Sequence, residues 1–436
     1  MTDRTYGIET LCLHAGAQPD AATGARALPI HQTSSFVFDS AEHAASLFNL
    51  QTFGNVYSRI GNPTVAAFEE RVAALEGGRA AVAAATGLAA QTLALLTLCQ
   101  AGDRIVAARS LYGGTFSQLD VSLRKLGIET VFVDSDAPEN FRSALSDNTR
   151  CIFAETVANP RLNVLDIAAV ARVAHDHRVP LIIDNTVPSP YLCRPFEHGA
   201  DIVIHSATKF LGGHGTTLGG VVVESGKFDW GNGKFPGMTE PSAGYHGVKF
   251  FETFGDFGFT MKARMETLRT FGPALSPFSA WQLMQGIETL HLRMQRHCEN
   301  ALAVAQHLEA HPRVAWVNYP GLPSSLAYAL AQRYLGSARH PGAGALLAFG
   351  VKGGNGGGQA AGERFIDALQ FCSHLANIGD AKTLVIHPAS TTHRQMNEAD
   401  QRASGVTPDM VRLSVGIETL DDILWDIDQA LERSAA

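Results

Sequence analysis

The chain has 436 residues, 45% of them hydrophobic and 17% charged, and a formal net charge of −8. That length supports a large core and two or three domains, and the composition excludes a disordered chain. With an acidic balance, no basic block and only short apolar runs, nothing supports a nucleic-acid partner or a membrane span.

The N-terminus, M-T-D-R-T-Y-G, has no apolar signal region. Six cysteines (Cys12, Cys99, Cys151, Cys193, Cys298, Cys372) lack C-x-x-C or zinc spacing. They read as reduced core thiols of a cytoplasmic protein. Residues 1–62 show little helical periodicity. They are expected to form an extended arm with short helices, such as Ala41 to Phe48, reaching a neighbouring subunit. Pro63 and Thr64 then open an amphipathic helix closed by Gly77-Gly78. A small-residue strand, A-A-V-A-A-A, leads through Thr86-Gly87-Leu88 into an apolar helix, Ala89 to Cys99. Strand, glycine turn and helix can aim backbone N–H groups at a phosphate, or can be a plain connection.

From 100 to 225 short apolar strands alternate with helices near 114–126, 138–146 and 165–177. The strands are R-I-V-A-A, T-V-F-V-D, C-I-F-A-E, L-I-I-D, I-V-I-H and G-G-V-V-V. The pattern predicts an α/β fold, a mostly parallel sheet covered by helices on both faces. Ligands of such sheets sit at the carboxyl ends of the strands. Thr86, Tyr112, Glu155, Asp184 and Lys209 all fall at or just past such ends. A Gly/Pro/aromatic-rich segment at 226–260 interrupts the alternation and reads as a lid or an oligomer contact. A second, smaller α/β unit occupies 275–436. It opens with one amphipathic helix through S-A-W-Q-L-M-Q-G-I-E-T-L-H-L-R-M-Q-R-H, holds strands near 314–318 and 344–351, and closes with a helix from Leu420. The glycine run at 353–358 reads as a turn, since no G-K-[ST] follows it.

The stretch D-I-V-I-H-S-A-T-K-F-L, ending at Leu211, carries the chemistry. Alone, Lys209 after a buried strand is ordinary surface solvation, and Asp184 at the end of P-L-I-I-D-N-T is a turn former. Together, on successive strands, they supply what pyridoxal 5'-phosphate needs: an amine for a Schiff base and a carboxylate that keeps the pyridine nitrogen protonated. His205, His214, His387 and His393 form no metal-ligand spacing and read as satisfied polar histidines.

Eight ordered motifs resemble the pyridoxal-phosphate enzymes of cysteine and methionine metabolism, the transsulfuration group, over about residues 8–432. They are Y-S-R-I-G-N-P-T, A-T-G-L-A-A, L-Y-G-G-T, E-T-V-A-N-P, D-N-T, S-A-T-K, H-P-A-S-T-T-H and V-R-L-S-V-G-I-E. The stretches G-H-G-T-T-L-G-G-V-V and F-N-L-Q-T-F-G-N-V-Y-S-R are most similar to the branch acting on O-acetylhomoserine. The resemblance implies the aspartate-aminotransferase-like architecture (fold type I), with an arm at 1–62, a large cofactor-binding domain at 63–274 and a C-terminal domain at 275–436. It implies the Schiff base on Lys209, the ring nitrogen on Asp184, Tyr112 stacked on the ring and Asn159 on the ring hydroxyl. The phosphate would lie on Gly87, Leu88, Ser206 and Thr208, with Tyr57 and Arg59 supplied by a neighbouring subunit. Arg412 and Asn377, with Tyr57, would bind substrate. The implied reaction is γ-replacement on O-acetyl-L-homoserine by sulfide or methanethiol, giving homocysteine or methionine and acetate, in a homotetramer built as a dimer of dimers. The alternatives are γ-elimination from methionine or cystathionine, a cystathionine-synthase activity, and a non-catalytic regulatory relative that binds the cofactor. The relatives' Ser-Gly-Met is Thr86-Gly87-Leu88 here, and lyases carry a serine at the place of Asn377.

Overall fold

The computed structural model describes residues 4–353, 357–392, 394, 401 and 405–434. Part of the glycine run at 353–358, and His393, lie outside them. Helix α1 is Ile8–His14 and α2 is Ala41–Phe48. Helix α3, Pro63–Glu76, starts where the Asn62 side chain accepts the Thr64 N–H at 3.0 Å. It stops at Gly77, whose φ of 72° only glycine adopts without strain.

Seven strands follow: β1 (Ala80–Ala84), β2 (Arg104–Ala108), β3 (Glu129–Val133), β4 (Thr149–Glu155), β5 (Leu181–Asp184), β6 (Ile202–His205) and β7 (Gly220–Glu224). They form one sheet in the order β1-β7-β6-β5-β4-β2-β3. Only β7 runs against its neighbours. Ile202, Val203 and Ile204 are fully buried, as expected of a strand covered on both faces. A second sheet, β10-β11-β12-β9-β8, combines Val314–Asn318 (β8), Leu346–Val351 (β9), Ser373–His374 (β10), Leu384–Ile386 (β11) and Met410–Ser414 (β12).

Several expectations need correction. The N-terminal arm is not free of its own chain: Ile8 and Cys12 of α1 enter the core. The buried Arg71 of α3 donates to the Ala15 and Leu13 carbonyls at 2.7 and 3.2 Å. Helix α4 spans Gly87–Leu98, two residues earlier than read, because Thr86 Oγ1 caps it by accepting the Ala89 N–H at 3.1 Å. The helix expected over 114–126 changes pitch twice: α5 (Gly113–Ser117) passes into a π-turn at Gln118–Ser122 and a 3₁₀ turn at Arg124–Leu126. The single helix expected after 275 is two, Pro277–Glu288 and Leu290–Ala310, parted at Thr289. There the Gly286 carbonyl accepts from the Arg293 guanidinium at 2.7 Å and from the Thr289 N–H, three residues on, at 3.3 Å. The 226–260 segment lies partly in the core, with Trp230 stacked on Phe259 at 5.4 Å.

All six cysteines are buried. No helix among the described residues is long and apolar enough to cross a membrane.

Candidate active site

The carboxyl ends of β4, β5 and β6 open into a cavity of about 270 Å³. Ten of the twelve residues implicated by sequence line it: Gly87, Leu88, Tyr112, Asn159, Asp184, Ser206, Thr208, Lys209, Asn377 and Arg412. Tyr57 and Arg59 do not line the cavity of their own chain. Tyr57 bridges to Ser35 and is 42% exposed, while the Arg59 guanidinium lies over its ring and donates to the Arg269 carbonyl. No residue of 226–260 lines the cavity either.

Lys209 follows β6 in a tight turn. Its Nζ donates to Asn377 Oδ1. Burial, and then the positive charge of Arg412, bring its pKa down from 10.5 to about 8. Both effects disfavour the ammonium and favour the free amine that imine formation requires. The turn is fixed from behind by Arg293, a buried guanidinium that donates to the Phe210 carbonyl at 2.8 Å and the Leu211 carbonyl at 3.3 Å. Arg293 lies on the Leu290–Ala310 helix, far along the chain, so nothing in its own stretch pointed to this role.

Asp184 ends β5. Its Oδ1 accepts the Thr186 N–H at 2.9 Å, and its Oδ2 accepts Gln91 Nε2 at 3.1 Å. Sequence reasoning missed Gln91, which is 2% exposed and lines the cavity. The available signal was a polar residue in an apolar helix, one turn past Gly87 and so on the same face.

Gly87 opens α4 so close to Ser206 that a Cβ there would meet Ser206 Cβ at 2.6 Å. A turn, a helix N-terminus and Ser206 thus converge on one end of the cavity, with Thr208 beside them, its hydroxyl donating to the Gly219 carbonyl at 3.2 Å. This donor set suits a phosphate. Strand β7 presses on the same turn, where a Cβ on Gly220 would lie 2.1 Å from the Thr86 carbonyl oxygen. Gly220→Ala should therefore lower stability by ~1–3 kcal/mol through overpacking. Thermal unfolding checks this, and an unchanged midpoint would show that the turn can yield.

Opposite that end, Arg412 of β12 is 6% exposed. Its Nη1 donates to Asn159 Oδ1 at 2.9 Å and its Nη2 to the Asn377 carbonyl at 3.1 Å, while its buried Nε has no partner. Burial lowers its pKa to about 10, so it stays a cation at neutral pH. Among the described residues no carboxylate pairs with it.

The histidines considered for metal binding are engaged elsewhere. His205 Nε2 meets Glu76 Oε1 at 2.5 Å, His387 contacts Ser390 and the Pro408 carbonyl, and His214 contacts the Gly212 carbonyl. Among the described residues no three potential ligands cluster.

An amine of lowered pKa, a carboxylate held by two donors, a phosphate cradle and an unpaired guanidinium together fit pyridoxal phosphate and an amino-acid substrate. Comparison with known proteins agrees. The chain is 54% identical over 438 residues to an O-acetyl-L-homoserine sulfhydrylase of Leptospira meyeri, covering 99% of this chain and 98% of that one. It is 51% identical to a homocysteine synthase of Schizosaccharomyces pombe, covering 98% of each. A Campylobacter jejuni protein assigned as an O-acetylhomoserine (thiol)-lyase superposes with a TM-score of 0.94 at 36% identity, covering 98% of this chain and 100% of that one, and carries a pyridoxyl-lysine phosphate. Residues 9–432 match the family described as Cys/Met metabolism PLP-dependent enzyme, and the chain belongs to that family.

Proposed function

We propose that this protein catalyses γ-replacement on O-acetyl-L-homoserine, with sulfide giving L-homocysteine and acetate, and with methanethiol giving methionine. The observation that carries this reading is the pair of cations at the cavity, Lys209 and Arg412. The first has its pKa lowered to about 8, toward the free amine, and the second has a buried Nε without a partner and no carboxylate paired with it among the described residues. When bound, pyridoxal phosphate supplies an electron sink conjugated to the substrate α-carbon. The protein's residues do the rest. Arg412 grips the α-carboxylate through paired N–H donors, and Asn377 steadies Lys209 between turns of chemistry. As the general base, Lys209 would remove the proton at Cα and carry the proton at Cβ as acetate leaves Cγ. Tyr112, which lines the same cavity as Arg412, would stack over the ring. Asp184 would keep the ring nitrogen cationic.

The acyl group is assigned by charge. Among the described lining residues only Lys209 and Arg412 are positive, and both have other work. A succinyl carboxylate would find no third cation among the described lining residues, whereas an acetyl group needs none. Tyr57 and Arg59 lie outside their own cavity, which supports sites completed by a partner copy; the assembly is read as a tetramer and its location as the cytoplasm.

Steady-state rates with acetyl and succinyl esters, each with sulfide and with methanethiol, test the reading, with methionine alone as control. The acetyl ester with sulfide should be the fastest pair. Faster cleavage of methionine alone would make the protein an elimination enzyme and end the proposal.

A further inference from the structure

One carboxylate at the site has been given no task. Glu155 ends β4 beside Asp184 in the register with β5. It is 7% exposed and lines the cavity. Burial and the neighbouring charge of Asp184 raise its pKa well above the carboxylate range, and only two backbone N–H groups act in the other direction.

Those two groups carry the argument. Glu155 Oε1 accepts the N–H of Tyr112 at 2.6 Å, and Oε2 accepts the N–H of Asn159 at 3.2 Å. Tyr112 is the N-cap of α5, where a backbone N–H has no acceptor within the helix. Its ring folds back over Gly114 so closely that a Cβ there would sit 2.5 Å from Tyr112 Cε1. The ring's position therefore follows its backbone. Asn159 in turn holds Arg412 through Oδ1 at 2.9 Å. Two loops from different parts of the chain thus hang on one side chain, and each presents a cavity-lining residue.

We propose that Glu155 is a positioning residue that fixes Tyr112 and Asn159 jointly against the bound cofactor and substrate. This rests on the reading of Tyr112 and Asn159 as cofactor contacts. The ionised side chain suits the task because it offers two acceptor oxygens and no donor, and the two backbone N–H groups favour that form against the burial and the Asp184 charge that oppose it. Glutamine offers one acceptor and turns its NH₂ toward the second N–H. Alanine offers neither.

The test uses the holoenzyme with Glu155→Gln, Glu155→Ala and Tyr112→Phe, singly and combined. The readouts are the dissociation constant of the cofactor, the pH midpoint of its visible band, and kcat and KM. Loss of the clamp should lower kcat by at least ~10-fold, since displacements near 1 Å at a site have effects up to 10²-fold. The midpoint should move, because Asn159 would no longer be held toward the ring hydroxyl. The penalty of Tyr112→Phe should shrink at least ~3-fold in the Glu155→Ala background, the non-additivity of two residues acting as a unit. The glutamine variant should fall between the extremes.

Strict additivity with an unmoved midpoint would overturn the proposal. So would failure of both Glu155 variants to fold, which would make the group a support of the fold alone. If Tyr112→Phe alone changes nothing and the native protein binds no cofactor, the underlying site reading fails, a result distinct from failure of the clamp.

Discussion

Lys209→Ala should leave a folded, cofactor-binding protein whose turnover falls by at least ~10³-fold, because covalent attachment and acid–base work at two carbons are lost together. The loss should appear in kcat and kcat/KM alike, since the missing amine acts on the reacting atoms and not on affinity for the ester. Borohydride should fix the cofactor covalently in the native protein and not in the variant. Two pH effects follow from a lysine pKa of about 8. Capture of the cofactor by native apoprotein needs the neutral amine, so it should accelerate as pH rises toward about 8. Between about 8 and the ordinary 10.5 the unfolded chain binds this proton and the folded one does not. Native apoprotein should therefore gain stability with rising pH across that window relative to Lys209→Ala, and no such difference in slope should exist below it. Near-normal turnover by the variant would remove Lys209 from the mechanism.

How much of this was legible depended on whether the signal lay within one stretch. Strands β4, β5 and β6 were plain from their apolar runs, and Asp184 and Lys209 were plain because strand ends in a parallel sheet point to one crevice. The breakpoints within helices were not. The parting at Thr289 goes with a side-chain bond from Arg293 to the Gly286 carbonyl, which helical periodicity does not reveal, and the π-turn at Gln118–Ser122 has no signal in the apolar pattern. Arg293 was invisible for the same reason, and Gln91 showed only as a polar residue in an apolar helix, without its partner. Their partners, Asp184 and the Phe210 and Leu211 carbonyls, stand 93, 83 and 82 residues away. Glu155 was seen at its strand end, but its use of both oxygens depends on how two loops close over it. The docking of α1 escaped because its seven residues are too few to show a convincing period.

Arg412→Leu should raise KM and reduce kcat/KM for the amino-acid substrate by ~10²–10³-fold, with a smaller effect on kcat, the pattern of a lost ground-state contact. The reasoning begins with an anomaly. A buried guanidinium with one unpartnered nitrogen and no carboxylate among the described residues is unfavourable in the free protein. Its two donations, to Asn159 and the Asn377 carbonyl, orient it without neutralising it. An arriving α-carboxylate relieves that condition, so part of the affinity for substrate comes from pairing this guanidinium. Lysine cannot substitute, because a single ammonium lacks the planar fork that meets two oxygens while holding two loops, and Arg412→Lys should stay close to the leucine variant. The same logic predicts a thermal signature. A saturating substrate-like carboxylate should raise the unfolding temperature of the native holoenzyme through linkage and leave that of Arg412→Leu nearly unmoved, while the ligand-free variant should be no less stable than the native protein by more than ~1 kcal/mol, since an uncompensated buried charge has been removed. An unchanged KM together with a retained ligand-induced shift would show that the carboxylate is held elsewhere.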